Sequence, residues 1–198
     1  MFAVRTRTLV LLAAIALPAG GCIVENEHTI IEKAEAPDPR LAGVWALETD
    51  GGAQVLVLHQ KEDEDNQLQA TFVIVAKDEV PPTSRATVQF TSIGDRPYFE
   101  ANWQTGEWLP LDPPVRRAFG TYEISDDTLK ICFGDPESFE APLKNGALQG
   151  FSGRGDSYQR RVVIASEGAA LRAYLAKNHF KCTVTATYHR LTGPTQSR

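Results

Sequence analysis

Arg85-Ala86-Thr87-Val88-Gln89-Phe90-Thr91-Ser92, then the turn pair Gly94-Asp95, then Arg96-Pro97-Tyr98-Phe99-Glu100-Ala101-Asn102-Trp103, decide the fold. Apolar and polar side chains take turns along both runs. In an extended backbone successive side chains point to opposite faces. Ala86, Val88 and Phe90 therefore share one face of the first run, and Phe99, Ala101 and Trp103 one face of the second. Two half-buried strands joined by a tight turn make an antiparallel hairpin.

The same period of two runs through Val44–Glu48, Ala53–Gln60, Gln67–Ala76, Ala118–Ile124, Thr128–Phe133, Arg160–Ala165 and Cys182–Leu191. Turn residues separate the early runs, at Asp50-Gly51-Gly52, Asp63–Asn66 and Ser125–Asp127. Short links imply successive hairpins, so the fold class is all-β: an antiparallel meander closing into a barrel or a strongly bent sheet. One helix interrupts it near 167–178. Ser166 is placed to cap it, and Ala170, Leu171, Tyr174 and Leu175 form one stripe. That stripe is expected to pack on the sheet, with Phe72–Val75 as docking surface. A shorter helical turn is expected between Pro136 and Asn145.

At the amino end, Arg5 and Arg7 precede the apolar run Leu9–Leu17, which leads through Pro18-Ala19-Gly20-Gly21 to Cys22. Nine apolar residues are too few for a bilayer span, which takes about 20, and suit a cleaved export signal. The stretch resembles the signal of bacterial lipoproteins. The resemblance implies removal of residues 1–21, acylation of Cys22, and a cell-envelope location on a membrane. In a host with two membranes this is the periplasmic face of the outer one. Residues 22–40, rich in charge and holding Pro37 and Pro39, read as a lipidated tether, 41–192 as the β domain, and 193–198 as a disordered tail. Processing removes two arginines and no acid, taking the net charge from −5 to −7. That balance speaks against nucleic acid, and against an electrostatic grip of the whole body on anionic lipid.

Leu41-Ala42-Gly43-Val44-Trp45 opens the first strand of the domain. This Gly-x-Trp entry, followed by a meander, a late helix and a last strand, resembles the lipocalin-like barrels. The resemblance implies structural roles for Gly43 and Trp45, and a cation, here Arg190, packed across the Trp45 ring. It also implies an interior suited to a small apolar ligand. Phe72, Phe90, Phe99, Trp103 and Tyr122 are candidates to line such an interior or to fill it outright. Trp108, Leu109 and Leu111, in the proline-rich excursion between two strands, are candidates for a lid or a partner contact, or for covering the core edge.

Signatures of chemistry are sparse. Gly150-Phe151-Ser152-Gly153 lacks nucleophile-elbow spacing, and His28, His59, His179 and His189 are not spaced as metal ligands. No metal and no cofactor are expected. Cys132 and Cys182, exported to an oxidising compartment, are available for a disulfide. Strand parity speaks against it, because Cys132 faces away from Leu129, Ile131 and Phe133 while Cys182 sides with Val184, Ala186 and Tyr188; two buried thiols are the alternative. These readings converge on a membrane-anchored, non-catalytic binding or interaction module whose partners are the membrane and an envelope protein. The alternatives are a carrier or sensor of a small apolar ligand and, behind it, an enzyme acting on an envelope or lipid substrate.

Overall fold

The structure, a computed structural model, describes residues 24–49, 52–61, 64–76, 83–106, 117–154 and 160–191. The expected signal with Cys22, the turn residues Asp50, Gly51 and Asp63, the loop residues Trp108, Leu109 and Leu111, and the tail 193–198 lie outside the described residues. The strands are β1 (Val24–Asn26), β2 (Gly43–Thr49), β3 (Gly52–Lys61), β4 (Glu64–Ala76), β5 (Thr83–Ile93), β6 (Arg96–Gly106), β7 (Arg117–Ser125), β8 (Thr128–Gly134), β9 (Gly150–Arg154), β10 (Arg160–Ile164) and β11 (Cys182–Arg190). Two helices, α1 (Glu137–Lys144) and α2 (Gly168–Lys177), flank β9 and β10.

Strands β2 to β8 form an uninterrupted antiparallel meander. β11 closes it by pairing with both β8 and β2, while β6 pairs with β7. The result is the expected lipocalin-like barrel, closed with eight strands. Inside it Leu56, Leu58, Leu68, Ala70, Ala86, Val88, Phe90, Phe99, Ala101, Leu129 and Tyr188 are buried.

The barrel also carries a second layer. β8 pairs with β7 only as far as Gly120, and beyond that point Glu25 of β1 pairs with Ala118. β1 in turn lies parallel to β10, and β10 antiparallel to β9. This small sheet, both helices and Phe180 cover the outer face of β5 to β7. Ile93, Tyr98 and Phe119 pack there with Val24, Ile30, Phe139, Val162, Ile164, Leu171 and Leu175.

The second layer corrects three expectations. Residues 24–40 are not a free tether: Val24 and Ile30 are fully buried, Glu35 bridges to Phe90, and the segment straps the barrel from β1 down to Leu41. Few but well-placed apolar residues hold it, and its polar groups bind the body. The Glu35 carboxylate, for example, accepts from Ser92 N and Oγ at 3.0 and 2.9 Å. Next, α2 does not dock at Phe72–Val75; Phe72 belongs to the barrel core and Val75 is 47 % exposed. Leu171 and Leu175 face the second core instead, with Ala170 exposed. Finally, Ser166 does not cap α2. The cap position is Glu167, and Ser166 Oγ accepts from Gln149 N at 2.7 Å, tying the end of β10 to the chain entering β9. The first residue of α2 must be glycine, because a Cβ on Gly168 would lie 1.9 Å from the Thr29 carbonyl oxygen of the strap.

Cys132 and Cys182 form a disulfide with Cα atoms 5.3 Å apart. Simple parity fails because a bulge lies between Cys182 and Val184: Cys182 opposes Gly134 while Val184 opposes Phe133. The odd residue turns Cys182 to the face of Gly134, which is also the face of Cys132.

Candidate functional site

The barrel interior is shut at one end by the entry corner. Trp45 is fully buried and its indole donates to the Leu41 carbonyl at 2.9 Å. The Arg190 guanidinium carbon lies 4.1 Å from the Trp45 ring centroid, an arrangement worth about 0.5–2 kcal/mol. That guanidinium also donates to the carbonyls of Ala42 at 3.0 Å, Asp126 at 3.3 Å and Arg40. Gly43 makes the approach feasible. Its φ is 146°, and a Cβ there would sit 2.5 Å from Arg190 Nη1. Leu41, carried in by the strap, plugs the floor.

Phe72, Phe90, Phe99, Trp103 and Tyr122 all line one shared space, together with residues not singled out from the sequence as lining, among them Leu41 and Phe133. The rings interlock edge to face or tilted: Phe72 with Trp103 at 5.4 Å, Phe90 with Tyr122 at 5.5 Å, Phe99 with Phe133 at 5.3 Å. The cavity left among them is about 40 Å³ and wholly apolar. An apolar cavity of about 150 Å³ can hold a benzene, and small-molecule sites are typically about 300–1,000 Å³. The aromatics fill the barrel.

Polar atoms gather toward the opposite end, beside Phe72 and Trp103. Trp103 Nε1 and Ser84 Oγ are buried without a hydrogen-bond partner. Register sets Ser84 opposite Phe72 and Ala86 opposite Trp103. Tyr188 donates its hydroxyl to Gln54 Oε1 at 3.2 Å. Burial pushes the Tyr188 phenol up to about 12, and also raises Tyr98, Tyr122 and Tyr174. A folded pKa above the unfolded value of about 10 stabilises the fold fully below pH 10, and the contribution is lost as pH rises through 12. For Tyr188 it is roughly 3 kcal/mol. The urea midpoint should therefore hold between pH 7 and 9 and fall between 10 and 12, and the fall should be shallower in Tyr188→Phe. An unchanged alkaline slope in that variant removes Tyr188 as a contributor.

A buried carboxylate that sequence reading missed lies on the outer face. Glu100 is 3 % exposed and receives Asn26 Nδ2 at 2.9 Å, Thr29 Oγ1 at 2.8 Å and Ile30 N at 2.9 Å. Its place in an alternating strand marks it as an outward polar residue, and nothing local announces the strap that covers it. Elsewhere on the outside an open groove of about 500 Å³ runs between Arg96, Tyr98, Glu123, Lys130 and Phe180, beside the disulfide. Among the described residues no three His, Cys, Asp or Glu side chains converge as a metal site, and no helix is long and apolar enough to cross a membrane. No protein-family model matches this chain, and neither a curated protein nor a solved structure does so.

Proposed function

We propose that the chain is an envelope lipoprotein, held on a membrane by acyl chains on Cys22, whose barrel body acts as a non-catalytic binding or interaction module. The observation that carries the module over the carrier is the 40 Å³ interior, too small for a ligand of useful size. Contacts are then left to the outer surface. The anchor rests on the Leu9–Cys22 signal. It gains a consequence from the position of β1. The body begins at Val24, so an acylated Cys22 holds it within about 7 Å of the lipid rather than at the end of a long tether. In a two-membrane host the location we propose is the periplasmic face of the outer membrane.

Fractionation with intact-mass measurement tests the anchor. The processed protein should sediment with membranes and carry acyl mass on Cys22, whereas Cys22→Ser should appear in the soluble fraction. An unmodified Cys22 in the processed chain refutes the anchored reading.

The carrier is the second reading, favoured by the two unpartnered polar atoms, Trp103 Nε1 and Ser84 Oγ, beside the aromatic interior. A ligand would have to move Phe72 and Trp103 apart to reach them. Titration with fatty acids should leave tryptophan fluorescence flat for the module and quench it saturably for the carrier.

A further inference from the structure

We propose that the groove beside the disulfide binds a small organic anion, its flat apolar body against Tyr98, Phe180 and the Cys132–Cys182 bond and its acidic group on Arg96. This deepens the module reading above, and rests on it, by naming where the outer surface binds and what it takes. The groove is a step between the two layers. On the outer face of the barrel, register sets Tyr98 opposite Thr121, Thr121 opposite Cys132, and Cys132 opposite Thr185. In the next row Glu123 stands opposite Lys130, and Arg96 lies two residues before Tyr98 on the same face. The second layer ends here at Phe180, whose ring meets Tyr98 edge to face at 6.1 Å.

Size admits a ligand here and not in the barrel. The groove holds about 500 Å³, against 40 Å³ among the interior aromatics. Small-molecule sites run from about 300 to 1,000 Å³. The groove is also fixed before anything binds. Cys182, two residues after Phe180, forms part of one wall, and the disulfide ties it to Cys132 in the floor. A site that needs no ordering keeps more of its contact energy as affinity.

Charge selects the ligand. Two cations, Arg96 and Lys130, and one acid, Glu123, border the groove of a chain whose net charge is −5. Lys130 and Glu123 satisfy each other at 3.6 Å. Arg96 is exposed and, among the described residues, makes no ion pair. Its charge is felt in the groove wall: burial raises the Tyr98 phenol, and the Arg96 guanidinium pulls it back. The planar guanidinium fork matches a carboxylate with two parallel hydrogen bonds. A cationic ligand would be repelled by the two basic side chains, and a neutral one would leave Arg96 unused.

The test uses the processed chain bearing Cys22→Ser, which is free of acyl chains. It is titrated with naphthoate and with the uncharged amide of the same acid, and backbone amides are followed by NMR. Naphthoate should bind with a dissociation constant of about 1 mM or tighter. Tyr98, Thr121, Cys132 and Thr185 should shift, while Leu56, Leu68 and Val88 inside the barrel stay still. The amide should bind about tenfold more weakly, and Arg96→Gln should abolish that difference. Glu123→Gln should tighten naphthoate about threefold, because it removes an acid and frees Lys130. Lys144→Gln on α1 should change nothing. An unchanged urea midpoint checks that each variant is folded. Equal binding of acid and amide, or an equal loss in the Lys144 variant, overturns the proposal. Shifts centred on Phe72 and Phe90 overturn it together with the module reading, in favour of the carrier. No shift anywhere up to about 10 mM overturns the groove site alone and leaves the module reading standing.

Discussion

Glu100→Ala should destabilise the protein by about 3–5 kcal/mol, the range for removing one partner from a buried charged network. The carboxylate is 3 % exposed and receives three donors from the strap, while Arg117 Nε stands 3.8 Å from Oε1 and Arg117 Nη1 donates to the Glu27 carbonyl. Truncation leaves the Ile30 amide and the Asn26 side chain facing a void, and each buried unsatisfied donor costs about 1–3 kcal/mol. Glu100→Gln keeps the shape but turns an amide NH2 toward donors, and should cost less, about 1.5–3 kcal/mol. Location matters as much as size. Beside the buried Val24 and Ile30, the pairing of β1 with β7 and β10 and the Glu35 contacts, this group ties the strap to the outer face, with Arg172 helping from α2 by donating to the Ile30 carbonyl at 3.1 Å. Hydrogen exchange in Glu100→Ala should therefore open Ile30 and Glu35 well before the β3–β4 amides of the barrel. A urea shift below about 1 kcal/mol, or uniform exchange, shows that the strap is held by its apolar residues alone.

The barrel was legible because half-buried strands leave a period of two, and Ala86, Val88, Phe90, Phe99, Ala101 and Trp103 all point inward as their spacing predicts. The aromatic lining was legible for the same reason. Its remaining volume was not, since 40 Å³ depends on how rings tilt against one another rather than on which face they occupy. The second layer escaped because it violates the rule that the polar face of an antiparallel strand meets water. Tyr98 and Glu100 look like solvent-facing alternates, yet both are buried under the strap and α2. β9, reading Gly-Phe-Ser-Gly-Arg, has too little apolar content to announce a strand and exists through its pairing with β10. The entry corner shows the reverse case. Gly43, Trp45 and Arg190 are far apart in sequence, and the family resemblance located a contact that no local pattern encodes.

Breaking the disulfide should cost about 4 kcal/mol on the chain-entropy estimate for a loop of this length. Its cysteines are 50 residues apart and bracket the whole insertion of α1, β9, β10 and α2 between two neighbouring barrel strands. In the unfolded chain that insertion is a long free loop, and the bond lowers the entropy of that chain by holding the two ends of the loop together. The effect should therefore appear in the unfolded state. Cys132→Ala, Cys182→Ala and the double variant should lose the same stability, because any one of them deletes the one cross-link. Chemical reduction of the wild type should reproduce the loss, and the native-state spectrum should change little. Cys182 is the exposed partner and Cys132 the buried one, so reductant approaches from the β11 side. A double variant clearly worse than either single would mean that packing of the two side chains contributes beyond the bond. A shift near zero in all three would mean that the second layer already holds the ends of β8 and β11 together in the unfolded ensemble.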